Sequence, residues 1–182
     1  MVHLNDKIVY PGHGVAVVAE ILERNVAGVA VEFLKLNFLF KDMIILVPLY
    51  NVDSIGIRMP SCPKAVAAAM AELGSGPTKK MEALDFTPSG WNKRNKEYQM
   101  KIQSGNLLDL AKIYRDLMHI GQIKDLSFGE RTLLQNVEEL IVQELKVIRN
   151  IDRELIVQDV RSSFKQLFFQ SPSFTGEVAS AV

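Results

Sequence analysis

The apolar positions of this chain change their period near residue 58. Before that point, short runs rich in β-branched and aromatic residues are broken by turn signals. After it, apolar residues recur every three or four positions. "KIVY" (7–10) reads as a strand, "YPGHG" (10–14) as a turn, and "VAVVAEILE" (15–23) as a second strand. "RNVAG" (24–28) supplies a hairpin turn at Gly28, from which "VAVEFLKLNF" (29–38) returns. Val31, Phe33 and Leu36 do not alternate perfectly, which predicts a bulge or two-sided burial in that return strand. "MIILVP" (43–48) is a fourth strand closed by Pro48, and "VDSIGI" (52–57) a short fifth. Five short strands in under 60 residues predict a small twisted barrel.

Past "RMPSCPK" (58–64) the pattern is helical. Ser61 is the expected N-cap of a helix with Pro63 in its first turn, running to Gly74, and "GSGPTKK" (74–80) is a loop. A second helix follows Trp91 and stops at Ser104-Gly105. Asn106 caps a third, "LLDLAKIYRDLMHI", which ends at Gly121. Ser127 and Glu130 form a capping-box pattern that opens a long helix carrying Leu134, Val137, Ile141, Leu145 and Ile148 at helical spacing. A last helix spans about 152 to 169, and residues 170–182 lose the periodicity of a packed element. The predicted class is α+β: a β-barrel domain over 1–58, a helical domain over 61–169 and a flexible tail over 170–182.

Charge narrows the function. Lys plus Arg and Asp plus Glu both total 21, so the net charge is zero. A protein held to nucleic acid by bulk charge would show a basic excess, so any such contact here is local and weak without help. A single cysteine, Cys62, excludes an internal disulfide framework. His3, His13 and His119 are isolated, and "GHG" (12–14) lacks the length and the following helix of a phosphate loop. Serines 54, 61, 89 and 127 sit in turns or caps, and Glu138-Glu139 on an amphipathic helix. No nucleophile, metal set or cofactor motif emerges, so an enzyme is not expected. No leader and no apolar run near 18 residues is seen, which places the protein in the cytoplasm.

One stretch stands apart. Trp91 opens "WNKRNKEYQMKIQSG" with Lys93, Arg94 and Lys96 close behind. At about 100° per residue, Tyr98 and Ile102 share its helix face, which favours core packing. Lys93, Lys96, Met100 and Gln103 fall on the opposite side, and Arg94 lies beside the tryptophan stripe. The competing reading is an aromatic that wedges at a base step while Lys93, Arg94 and Lys96 reach phosphates.

"DKIVYPGHGVAVVAEI" (6–21), "ERNVAG" (23–28), "ILVPLYNVDSIGIR" (45–58), "WNKRNKEYQMKIQSGNLLDLAKIYRDL" (91–117) and "LSFGERTLLQNVEEL" (126–140) resemble the CarD/CdnL bacterial transcription regulators, in order, over about 4 to 160. The resemblance implies a Tudor-like N-terminal domain that binds the RNA polymerase β subunit. It also implies a helical domain that reaches promoter DNA at the upstream edge of the transcription bubble, where a tryptophan in the minor groove holds the open complex. Trp91 matches that tryptophan, Lys93, Arg94 and Lys96 its basic neighbours, and Arg131 a further DNA-facing position. Arg24, Leu46 and Pro48 fall at polymerase-contacting positions. At Leu46 the family often has a basic residue, so that contact is apolar, weaker or shifted here. The alternative is an adaptor whose barrel binds polymerase and whose helices bind another protein. Which promoters respond, and whether the chain self-associates, is not written in the sequence.

Overall fold

Leu34, Leu36 and Phe38 are buried, while Phe33, Lys35 and Asn37 between them face outward. This period of two curls the first part of the chain around one apolar face. The computed structural model describes residues 2–76 and 85–170, the last six by backbone alone. Four strands form an antiparallel sheet in chain order: β1 (Lys7–Tyr10), β2 (Gly14–Val26), β3 (Val29–Phe38) and β4 (Ile44–Pro48). Ala27 and Gly28 both take positive φ, 52° and 88°, as a two-residue hairpin loop that follows the sheet twist requires. The bulge lies on β2, between Val18 and Glu20, rather than on the return strand where it was expected. Ile8, Val18, Leu34, Leu36 and Val47 fill the concave side.

The fifth strand is not formed. Leu49–Asn51 make a 3-10 turn and Val52–Ile55 a single helical turn, α1, closed by Gly56 at φ 81°. Ser54 Oγ donates to the Asn51 carbonyl at 2.9 Å, the local bonding by which serine draws backbone away from a ladder. Val52 and Ile57 still bury their side chains against the sheet, and a bridge at Val9–Arg58 brings the chain back to β1. The expected barrel is therefore a curled, four-stranded, Tudor-like half-barrel.

The helices are α2 (Pro63–Leu73), α3 (Pro88–Gln103), α4 (Leu107–Ile123), α5 (Phe128–Arg149) and α6 (Arg153–Gln170). Asn106 caps α4 through Leu108 N at 2.9 Å, and Ser127 with Glu130 closes both bonds of the capping box on α5. Two starts differ from expectation. Helix α2 is preceded by Cys62, not Ser61, whose hydroxyl accepts from Arg58 Nη1 at 3.3 Å while its backbone N donates to Glu144 Oε1 at 2.8 Å. Helix α3 begins at Pro88, where Thr87 Oγ1 accepts from Gly90 N at 3.2 Å, so Trp91 stands inside the helix. Leu73, Ile113, Leu117, Val137, Ile141, Leu145 and Ile156 form the bundle core. Residues 77–84 and 171–182, which hold part of the expected 74–80 loop and most of the expected tail, lie outside the described residues.

The two halves meet around Arg58. Its guanidinium donates to both carboxylate oxygens of Glu144 on α5, at 2.7 and 2.8 Å, and to the Gly105 carbonyl at 2.8 and 2.5 Å. The Glu144 side chain is only 1% exposed. Beside it, Val15 N donates to Gln143 Oε1 at 3.4 Å. Gly14, at φ 106°, lies so close that a Cβ would stand 2.0 Å from that oxygen. Pro11 packs on Gly105. The "YPGHG" turn is thus the seat of the sheet on the helices.

Candidate functional site

Helix α3 has two unlike faces. Tyr98 and Ile102 are buried in the bundle, and the Trp91 ring is half-buried and packs on the same core. Its ring lies against Gly129 of α5, where an added Cβ would meet Cζ2 at an ordinary contact distance of 3.4 Å. On the other face Lys93, Lys96, Met100 and Gln103 are exposed, as the periodicity predicted.

Arg94 requires a correction. It was expected among the phosphate-reaching cations, but it is only 7% exposed. Nη1 donates to the Asp85 carbonyl, Nη2 stands 3.5 Å from Glu130 Oε1, and the guanidinium lies 6.0 Å from the centre of the Phe86 ring. Nε and Nη2 find no hydrogen-bond acceptor among the described residues. At three residues past Trp91 the helix turns Arg94 toward the start of α5, where a carboxylate waits. Glu130 serves several partners there. Burial alone would raise its carboxyl, but hydrogen bonds from Lys124, at 2.6 Å, and from Ser127 hold it below its ordinary value. Arg94 therefore ties α3 to α5 and is structural.

Lys93, Lys96 and Arg131 are exposed, and none has an ion-pair partner among the described residues. Arg131 stands two residues beyond Gly129, on a different face of α5 from the one that meets the indole, and lines a separate groove with Met118, Gln122 and Leu126. Sequence reasoning missed Phe128, which is 85% exposed. The signal was present: Phe128 precedes Val137 by nine residues, about half a turn out of phase with the buried stripe. Between α3 and α5 runs a groove of about 490 Å³, with Trp91, Asn95 and Gln99 on one side and Phe128, Thr132 and Asn136 on the other.

The sheet carries a second cluster. Register places Leu46 opposite Lys35, and Pro48 opposite Phe33 and then Leu22, so these share one face with Arg24 two residues further along β2. Arg24, Leu46 and Pro48 thus lie together on the convex side. Leu46 is 36% exposed while Val47 next to it is buried. Ile44 on the same face is exposed, and among the described residues β4 is an edge strand of the sheet.

Fold and site define a two-part protein, a curled sheet seated on a helical bundle, and among the described residues no group of His, Cys, Asp or Glu could hold a metal. No helix among them is long and apolar enough to cross a membrane. Residues 3–59 match the family described as CarD-like/TRCF RID domain, and residues 80–160 that described as CarD, C-terminal domain. The chain belongs to the CarD/CdnL family of bacterial transcription regulators, which are not enzymes. A relative from Bacillus subtilis (strain 168), named "Putative transcription factor YdeB", is 26% identical over 156 residues, 86% of this chain and 97% of the relative.

Proposed function

We propose that this transcription regulator binds the RNA polymerase β subunit through the convex face of its sheet and promoter DNA through the Trp91 end of its bundle. The observation that carries this reading is an indole that lies against Gly129 beside an open groove, with exposed Lys93 and Lys96 on the other face of the same helix and exposed Arg131 on α5. An aromatic braced at its base can press on a base step without folding away, and the cations hold phosphates on either side. Contacts that fit open promoter better than closed shift that equilibrium toward open. Few phosphate contacts give weak intrinsic DNA affinity and a shallow salt dependence. Tethering through polymerase supplies the effective concentration that a net-neutral chain lacks.

On the sheet, Arg24 is the charged contact, and Leu46 with Pro48 the apolar one. The unpaired edge of β4 beside them offers backbone groups to a partner strand. Capture of RNA polymerase by the full chain, with and without Arg24→Glu, tests the first half of the reading. Capture should fall while the melting temperature holds, because an exposed hairpin charge contributes little to folding. A promoter footprint in the presence of polymerase tests the second half. Protection that appears without any dependence on duplex at the bubble edge would favour an adaptor that binds another protein.

A further inference from the structure

The three residues ahead of α3, Asp85, Phe86 and Thr87, form a short strap against its first turn. Asp85 Oδ1 accepts from Thr87 N at 2.9 Å, and the Trp91 backbone N donates to the Thr87 carbonyl at 2.9 Å. Gly90 fits beneath the strap only because it has no side chain: a Cβ there would collide with the Asp85 carbonyl oxygen, to which Arg94 Nη1 donates. Glycine inside a helix costs stability relative to alanine, so this close approach is what the residue provides. Two cations stand over the Phe86 ring, the Arg94 guanidinium 6.0 Å and the Lys124 ammonium 5.8 Å from its centre. We propose that residues 85–87 are a positioning strap for Trp91, gripped through Phe86, which sets where the indole projects from the bundle. This rests on the reading of Trp91 as a DNA-contacting residue.

A helix start does not require such a grip. Thr87 caps α3 through Gly90 N and Pro88 fills its first position, which satisfies the local chemistry. The grip comes from other helices. Lys124 ends α4, and both cations reach one carboxylate on α5, Glu130, at 2.6 Å from Lys124 and 3.5 Å from Arg94. Glu130 follows Gly129, against which the indole lies. One anchor therefore fixes the strap, the first turn of α3 and the surface under Trp91 together. Phe86 itself is 39% exposed and lies outside the bundle core, so filling the core is not its task. With the strap released, α3 keeps its buried Tyr98 and Ile102, but the turn that carries Trp91 is left to fray.

Trp91 is the only tryptophan of the chain, so tryptophan fluorescence reports this indole alone. The test compares Phe86→Ala, Phe86→Tyr and Gly90→Ala in the full chain, well below their melting temperatures. In the free protein, Phe86→Ala and Gly90→Ala should make the indole about twofold easier to quench with acrylamide and shift its emission to the red. Phe86→Tyr keeps a ring for both cations and should match wild type. Wild-type quenching in either alanine variant, or a Phe86→Tyr protein as quenchable as Phe86→Ala, overturns the proposal. With RNA polymerase holoenzyme on a linear promoter, Phe86→Ala should shorten open-complex lifetime about fivefold, with polymerase capture unchanged. Added to Trp91→Ala, it should shorten the lifetime no further. An equal loss in the Trp91→Ala background would mean that Phe86 acts by a contact of its own, and positioning is wrong. If Trp91→Ala itself leaves the lifetime at wild type, the DNA reading fails, and the quenching arm alone decides the strap.

Discussion

Two neighbouring cations on α3 show how one helical position separates structure from contact. Arg94 is buried against Glu130 and the Asp85 carbonyl, and Lys93 is exposed. Arg94→Ala would leave the Glu130 carboxylate short of a partner, so it should cost on the order of 3 kcal/mol of stability. Lys93→Ala should leave thermal unfolding alone, weaken DNA binding across sequences and lower the salt slope by about one unit. Melting curves and salt titrations on the two variants, side by side, check the split. An Arg94→Ala protein of unchanged melting temperature would return Arg94 to the DNA. The sequence showed that Arg94 lay beside the tryptophan stripe, but it could not show Glu130 waiting there, thirty-six positions on. Leu46 follows the same logic on the sheet. Being partly exposed, Leu46→Ala should weaken polymerase capture with little dependence on salt, and cost well under the roughly 2–5 kcal/mol of a fully buried leucine.

At the scale of elements, what local chemistry dictates was legible. The capping box at Ser127 and Glu130, the Asn106 cap and the heptad-like stripe of α5 stand where their residues predicted. What was not legible depended on partners distant in sequence. The Ser61 hydroxyl is engaged by Arg58 instead of capping, and "VDSIGI" becomes a helical turn after Pro48 because Ser54 bonds back to Asn51. Phase in β3 was misread because the extra residue sits on its partner β2. The bundle also carries a tie that no periodicity reveals. Tyr114 of α4 donates to Glu138 of α5 at 3.0 Å, and Arg161 of α6 donates to both Glu138 oxygens at 2.8 and 2.9 Å. The Arg161 hydrogen bonds hold the Glu138 carboxyl below its ordinary value, against the opposing effect of burial. A depressed carboxyl contributes stability that is present above the unfolded glutamate pKa, about 4.3, and is lost as pH falls through the lower folded value. Melting temperature should therefore drop as pH falls below about 4.3, and Arg161→Gln should flatten that limb by lowering stability at neutral pH. An acid limb as steep in the variant as in wild type would contradict the assignment.

At the scale of the molecule, the sheet and the bundle are one piece because Arg58, Glu144, Gln143 and Gly14 lock together. "YPGHG", the motif that most marks the resemblance, acts here as a joint. Glu144→Gln keeps the shape and removes the charge from a buried pair, and should cost about 3 kcal/mol. Calorimetry should then resolve two unfolding transitions where wild type shows one, and polymerase capture should survive while open-complex lifetime falls. A single transition at the wild-type temperature would mean the joint carries little. In the proposed function, a polymerase-anchored sheet delivers a braced tryptophan to the edge of the bubble. The most direct measurement is the lifetime of competitor-challenged open complexes with saturating wild type or Trp91→Ala, well below the variant's melting temperature. Trp91→Ala should lose about 2 kcal/mol of stability, less than a fully buried tryptophan, and should still bind polymerase. Its open complexes should decay nearly as fast as those of polymerase alone; complexes as long-lived as with wild type would contradict the account.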